Sequence, residues 1–180
     1  MNAVWHAGKY GLNTLLSSIQ FFYRHLSLVF LSLIPSSLRA CRMWDPSNAP
    51  ASIGIITELA RIILVLCIIC FISKASIKTL RSKAFWNKFG NLLAAQLKNN
   101  WPHRFIAQIV IFIAILYGFG NFLLAGISKA VIPFIDVQRF ESYDPSNAYN
   151  ACLFFLKNMS IIPLAIVYLF KVCGLKPMHN

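Results

Sequence analysis

Residues 105–127 read FIAQIVIFIAILYGFGNFLLAGI, with no charged side chain and only Gln108 and Asn121 as strong polar interruptions. At about 1.5 Å per residue such a helix is roughly 35 Å long, enough to cross a hydrocarbon core of about 30 Å. A helix apolar on every side cannot lie on the surface of a water-soluble domain. The stretch therefore predicts a transmembrane helix, and the rest of the chain agrees with it. Over 180 residues, 58% are hydrophobic, 14% aromatic and only 12% charged, where soluble domains carry about 25% charged residues. The mean hydropathy is +0.64. This composition excludes an ordinary soluble domain, a disordered chain and a disulfide-stapled mini-protein.

Working outward, two further segments have the length of a span. Ile53 to Ser73 carries Glu58 and Arg61 near its start, and Ala151 to Cys173 carries Lys157, Asn158 and Pro163. The first apolar run, Leu26 to Leu38, is short, holds Pro35 and ends in Arg39 and Arg42. It either tilts and lets its arginines snorkel, begins near Leu15, or is re-entrant. The fold class is thus all-α integral membrane, with four transmembrane helices at about 26–44, 53–73, 105–127 and 151–173. An amphipathic helix over 82–99 alternates Phe85, Phe89, Leu92 and Leu93 with Lys83, Lys88 and Lys98 and suits a headgroup region. Lys9 to Phe22 is a poorer version of it.

Charge sets the expected orientation. Lys74, Lys78, Arg81, Lys83, Lys88, Lys98 and Arg104 follow one another with no acid between them. Flanked by spans, such a run reads as a cytoplasmic, positive-inside segment in contact with anionic lipid headgroups, and no nucleic acid is expected as partner. The connection from Lys129 to Tyr149, with Asp136, Glu141 and Asp144 against Lys129 and Arg139, should face outside. Both termini are then cytoplasmic and the chain sits in the plasma (bacterial inner) membrane; Arg39 and Arg42 are the contrary signal. The N-terminal residues lack the apolar core and cleavage site of a signal peptide. The five cysteines form no disulfide or zinc pattern, since Cys67 and Cys70 lie within ILVLCIICFI, where thiols behave as small apolar groups.

The chain also repeats itself. Asp45-Pro46-Ser47-Asn48-Ala49 recurs as Asp144-Pro145-Ser146-Asn147-Ala148, each preceded by an aromatic residue. This predicts a tandem duplication, 1–79 and 80–180, in which each half supplies an interfacial helix and a hairpin of two spans. Two spans per half make a parallel repeat, related by an axis along the membrane normal. Structurally, Asp followed by Pro is a good helix start. Functionally, Asp45, Ser47, Asn48, Asp144, Ser146 and Asn147 would present two matched outer caps to a ligand or partner.

Glu58 lies thirteen residues beyond Asp45, and Lys157 thirteen beyond Asp144. Ions in hydrocarbon seek partners, so Glu58, Arg61, Lys157 and Asn158 are expected to form an intramembrane polar cluster. Either Glu58 meets Lys157 across the repeat axis, or Glu58 pairs with Arg61 alone and Lys157 snorkels. Gln108, Asn121 and Asn158 are expected to be interhelical hydrogen-bond glue, Gly118, Gly120 and Gly126 to permit close helix approach, and Pro163 to kink the last span.

No histidine pair, nucleophile motif, phosphate-binding loop or carboxylate cluster is present, so no catalytic residue, metal or cofactor is expected. The expected function is a non-catalytic accessory or interaction subunit of a bacterial membrane system, bound to another subunit or to its own copies. The alternatives are a small oligomeric channel or transporter, a lipid-surface regulator, and a bacteriocin-immunity or phage-defence membrane component, which the chain resembles in size and plan alone.

Overall fold

The computed structural model describes residues 2–134 and 144–175, so Asp136, Arg139, Glu141, Tyr143 and His179 lie outside the described residues. All regular elements described are helical. α1 (Asn2–Arg24) and α2 (Leu26–Trp44) are separated by His25 alone. α3 (Ala51–Ser73) follows, then the single turn α4 (Ile77–Leu80) and α5 (Lys83–Asn100). The third span runs unbroken from His103 to Phe134 as α6 (His103–Ile111), π-helical turns (Phe112–Phe119), α7 (Gly120–Val131) and a 3₁₀ turn (Ile132–Phe134). The fourth, Pro145–Val172, is α8 (Pro145–Leu156), π-helical turns (Lys157–Ile161) and α9 (Ile162–Val172). Four helices are long and apolar enough to cross a membrane: Leu26–Trp44, Ala51–Ser73, His103–Phe134 and Pro145–Val172.

The fourth span is the hub. α2 packs along α3 on one side and along α8 and the Lys157–Ile161 turns on the other, while α7 also packs on α8. α2 runs antiparallel to the fourth span, since Ser32 reaches Met159 and Arg39 lies over Phe154. Trp44 and Pro145 therefore fall at the same end of the bundle, here the turn end, and the Lys74–Arg104 stretch lies at the other, the basic end. A twofold relating the halves would match the α2–α8 packing with equal packing of α3 on the third span. That packing is no more than a fringe, so the arrangement of the halves departs from twofold symmetry.

α1 is a full helix rather than a weak surface segment. Ala7, Gly11, Leu15, Ser18 and Phe22 recur at three- and four-residue intervals and form one buried stripe. That stripe lies on α6 and α9. Gly11 is there because a β-carbon would stand 2.7 Å from Ile111 Cδ1 and 3.4 Å from Gln108 Cα. Hydroxyls inside the bundle are satisfied locally: Ser18, Ser36, Thr57 and Ser73 each donate to the carbonyl four residues back, at 2.5–2.7 Å.

α3 and α9 close at the basic end by the same turn. Ala75 N–H donates to Cys70 O at 3.1 Å, and Leu175 N–H to Phe170 O at 2.9 Å. The residue before each donor is left-handed: Lys74 at φ 52° and Gly174 at φ 78°. Glycine is the usual occupant of that position, so Lys74 is the unusual one.

Candidate functional site

Three elements bring their charged residues together in the turn-end half. α2 supplies Arg39 and Arg42, α3 supplies Glu58 and Arg61, and the fourth span supplies Phe154, Lys157 and Asn158. The backbone of the fourth span explains the geometry. Pro163 has no N–H, so the Met159 carbonyl lacks its helical donor. The chain widens into π-helical turns over Lys157–Ile161 and Ser32 Oγ, bonded to Val29 O at 2.7 Å, makes a longer second bond of 3.3 Å to Met159 O. Such π-turns shift the phase of the residues before them and recur at functional positions. Here they leave Asn158 facing inward at 1% exposure.

Asn158 is the pivot. Its Nδ2 donates to Phe154 O at 2.7 Å. Its Oδ1 accepts from Arg61 Nη2 at 2.6 Å and from Arg61 Nε at 3.1 Å. Arg61 Nη1 then donates to Glu58 Oε1 at 2.6 Å, the one ion pair among the described residues. The side chains of Arg61 and Glu58 are 27% and 61% exposed, so the network opens outward through Glu58 and is dry at Asn158.

Lys157 does not meet Glu58. Asn158, one residue on, takes the inward position, and the Lys157 ammonium lies 5.7 Å from the centroid of the Phe154 ring. Arg39 Cζ lies 5.3 Å from the same ring, and Arg39 Nε is buried without a hydrogen-bond partner. Arg39 is within electrostatic reach of Arg61, Arg42 and Glu58. Arg42 packs on Gly54, where a β-carbon would stand 2.6 Å from its Nη1. The cluster therefore gathers Arg39, Arg42, Arg61 and Lys157 around one carboxylate and one ring. The sequence reading found Glu58, Arg61 and Asn158 but treated Arg39 and Arg42 only as a contrary topological signal, and missed Phe154 and Gly54.

The two DPSNA copies fold differently. Asp144 caps α8: Oδ1 accepts from Ser146 N–H and Ser146 Oγ, both at 2.8 Å, and Pro145 takes the first helical position. Asp45 accepts from Ser47 Oγ at 2.8 Å, Asn48 N–H at 3.2 Å and Asn48 Nδ2 at 2.9 Å, but its turn stops there and α3 begins only at Ala51. The expected helix start is thus corrected for the first copy. Pro50 stands where the second copy has Tyr149, and without an N–H it cannot carry the turn into a helix. These bonds hold both carboxyls below the ordinary aspartate value of 3.8: at Asp45 the Asn48 side chain contributes most, at Asp144 the Ser146 backbone N–H. Ser47, Asn48 and Ser146 each direct a side-chain donor to the neighbouring carboxylate. Asn147 is half-buried.

The other predicted residues fall apart from the cluster. Gln108 is buried under α1 with Oε1 unpartnered, and Asn121 Nδ2 donates to Tyr117 O of its own helix at 2.5 Å. Neither bridges two helices through its side chain. Gly120 permits contact with Ile161, while among the described residues Gly118 and Gly126 face no other helix. Lys74, Lys78, Arg81, Lys83, Lys88 and Lys98 are all exposed at the basic end. Among the described residues no three His, Cys, Asp or Glu side chains gather as a metal site requires. Compared with protein-family profiles, curated protein sequences and solved structures, the chain matches none.

Proposed function

We propose that the chain is a non-catalytic interaction subunit of a bacterial cytoplasmic membrane, and that its third span holds a transmembrane helix of another subunit or of a second copy. One observation carries this reading: the third span is the least enclosed of the four and offers glycines to its outer face. Only 11% of its most apolar window is buried, against 33% for the fourth span. Gly118 and Gly126 flank Phe122, at four-residue intervals, and Phe122 is 77% exposed. A lipid-facing helix gains nothing from glycine, which costs about 1 kcal/mol against alanine, whereas a partner helix gains close approach.

The test is a benzophenone side chain at position 122, photolysed in native membranes. The expected result is a protein adduct of discrete mass that disappears in the Gly118→Leu/Gly126→Leu double variant. Adducts with lipid alone, identical in both, would refute the reading.

The wider plan belongs to the same proposal. The basic end faces the cytoplasm, α1 and α5 lie along that face, and the halves descend from one duplicated hairpin unit. The closing turns of α3 and α9 support the duplication: they are offset by 100 residues where the DPSNA copies are offset by 99, the single extra residue a π-turn inserts.

A second reading, anion transport, is favoured by the Arg39–Arg61 cluster, whose cations outnumber its carboxylate within the span. Chloride flux into reconstituted vesicles, lost in Arg61→Leu, would establish it; no flux at any imposed potential would remove it.

A further inference from the structure

A cavity of about 390 Å³ lies at the basic end between α1, the close of α3 and the close of α9. Its polar lining is Thr14, Ser17, His25, Lys74 and Lys171, and its apolar walls include Phe21 and Phe71. Lys74 follows directly on the span Ala51–Ser73, and Lys171 stands one residue from the end of Pro145–Val172. The cavity thus sits where hydrocarbon gives way to headgroups. Lys171 Nζ donates to Ser17 O at 2.7 Å and to Ser17 Oγ at 3.1 Å, leaving one of its three donors. His25 Nδ1 lies 2.8 Å from Phe21 O, so as a donor to it the ring turns its other nitrogen away, packed edge-on to Phe71 at 5.1 Å. No carboxylate pairs with either lysine among the described residues: Asp45, Glu58 and Asp144 all belong to the turn-end half.

From this geometry we infer that the cavity is a binding site for a phosphate-bearing anion, seated between Lys74 and Lys171, with Phe21 and Phe71 receiving the first methylenes of an acyl chain. A basic pocket between helix ends at this level is the recognition pattern for an anionic phospholipid headgroup. Lys74 strengthens the inference. It holds a left-handed backbone where the equivalent turn of the fourth span has glycine, so an ammonium stands at the rim at the expense of backbone comfort.

That strain supplies a clean test. Lys74→Gly removes the ammonium while relaxing the backbone, so its fold is preserved or improved. Full-length protein is delipidated in mild detergent and titrated, by native mass spectrometry, with phosphatidylglycerol, phosphatidylcholine and inorganic phosphate. Phosphatidylglycerol is expected to bind in preference to phosphatidylcholine, and Lys74→Gly to weaken it about fivefold, the effect of one basic residue at a membrane surface. Lys171→Gln is expected to weaken it at least as much, and Lys129→Gln, exposed near the end of α7 in the turn-end half, to leave it unchanged. Displacement by millimolar inorganic phosphate would assign the site to a free anion; retention against it would assign it to the lipid. Equal binding of the two phospholipids together with no phosphate binding, or unchanged affinity in a folded Lys74→Gly protein, would overturn the inference.

Discussion

Replacing Asn158 with leucine should destabilise the bundle more than any change to Glu58, although Glu58 carries the charge. Leucine has the same heavy-atom count and branching as asparagine, so the perturbation removes polarity without opening a cavity. What is lost is two bonds from Arg61 to Oδ1, at 2.6 and 3.1 Å, and one from Nδ2 to Phe154 O, at 2.7 Å. Interhelical hydrogen bonds in membrane proteins are worth about 0.6 kcal/mol on average and about 1.7 at most. Two bonds sharing one acceptor from one guanidinium should lie between, giving an Arg61–Asn158 coupling of about 1–1.5 kcal/mol. By contrast the Glu58–Arg61 pair is an i, i+3 contact whose carboxylate is largely exposed, and such pairs contribute about 0–1 kcal/mol. The assay is reversible unfolding in bicelles of the wild type, Asn158→Leu, Arg61→Leu and the double variant, with Glu58→Gln beside them. The cycle cancels what Arg61→Leu loses at Glu58 and leaves the interhelical component. A coupling below about 0.3 kcal/mol, or a Glu58→Gln cost exceeding that of Asn158→Leu, would refute the account of Asn158 as the pivot.

Other expectations follow from single contacts. Tyr149→Pro should unravel the start of α8 at a cost of about 3 kcal/mol or more, whereas Pro50→Ala should extend α3 backwards, read out as new amide-exchange protection at residue 50. Gly11→Leu should lift α1 from α6 and cost about 1–3 kcal/mol in the same unfolding assay, because Ile111 and the Gln108 backbone leave no room for a side chain. Asp45 and Asp144, held below 3.8 by their hydrogen bonds, bind protons less readily folded than unfolded. Their contribution is therefore complete above that value and lost as pH falls through the depressed folded values, a window that carboxyl ¹³C titration would locate.

How much of this was legible in the residues depends on the range of the interaction that decides each feature. The spans were legible because hydrocarbon is a uniform solvent and tests each residue of a helix alone. Two of their boundaries were not: the third span extends to Phe134 and the fourth begins at Pro145, in stretches where polar residues hide a continuing helix. The fate of the two DPSNA copies was also written locally, in the contrast between Pro50 and Tyr149, but it lies one residue beyond the match that drew attention. Asn158 illustrates the opposite case. Counting thirteen residues from each aspartate pointed to Lys157 as the partner for α3, because that count assumes that both copies start a helix at the same point. α8 starts directly after Asp144 but α3 only at Ala51, so equal counts give unequal helical phases, and Asn158 takes the inward position.

Arg39 and Arg42 bear on topology as well as packing. The positive-inside tendency counts cations that are free to interact with the membrane potential and with lipid during insertion. Arg39 is drawn onto the Phe154 ring and Arg42 onto the bare backbone of Gly54, so both are committed to contacts within the bundle. An arginine against the charge rule is thus better read as an arginine with a partner, and the partner can be sought on the helix that packs alongside. The reasoning can be checked at Phe154, which carries two cations at 5.3 and 5.7 Å. Phe154→Leu should cost about 1–2 kcal/mol from the lost cation–π contacts, and return Arg39 to the free, topogenic class. In a Phe154→Leu chain whose Lys74–Arg104 charges have been thinned, a glycosylation-site reporter should detect a larger inverted fraction than thinning alone produces. An unchanged fraction would mean that Arg39 is uncommitted when the topology is decided, and that its contact with Phe154 forms only afterwards.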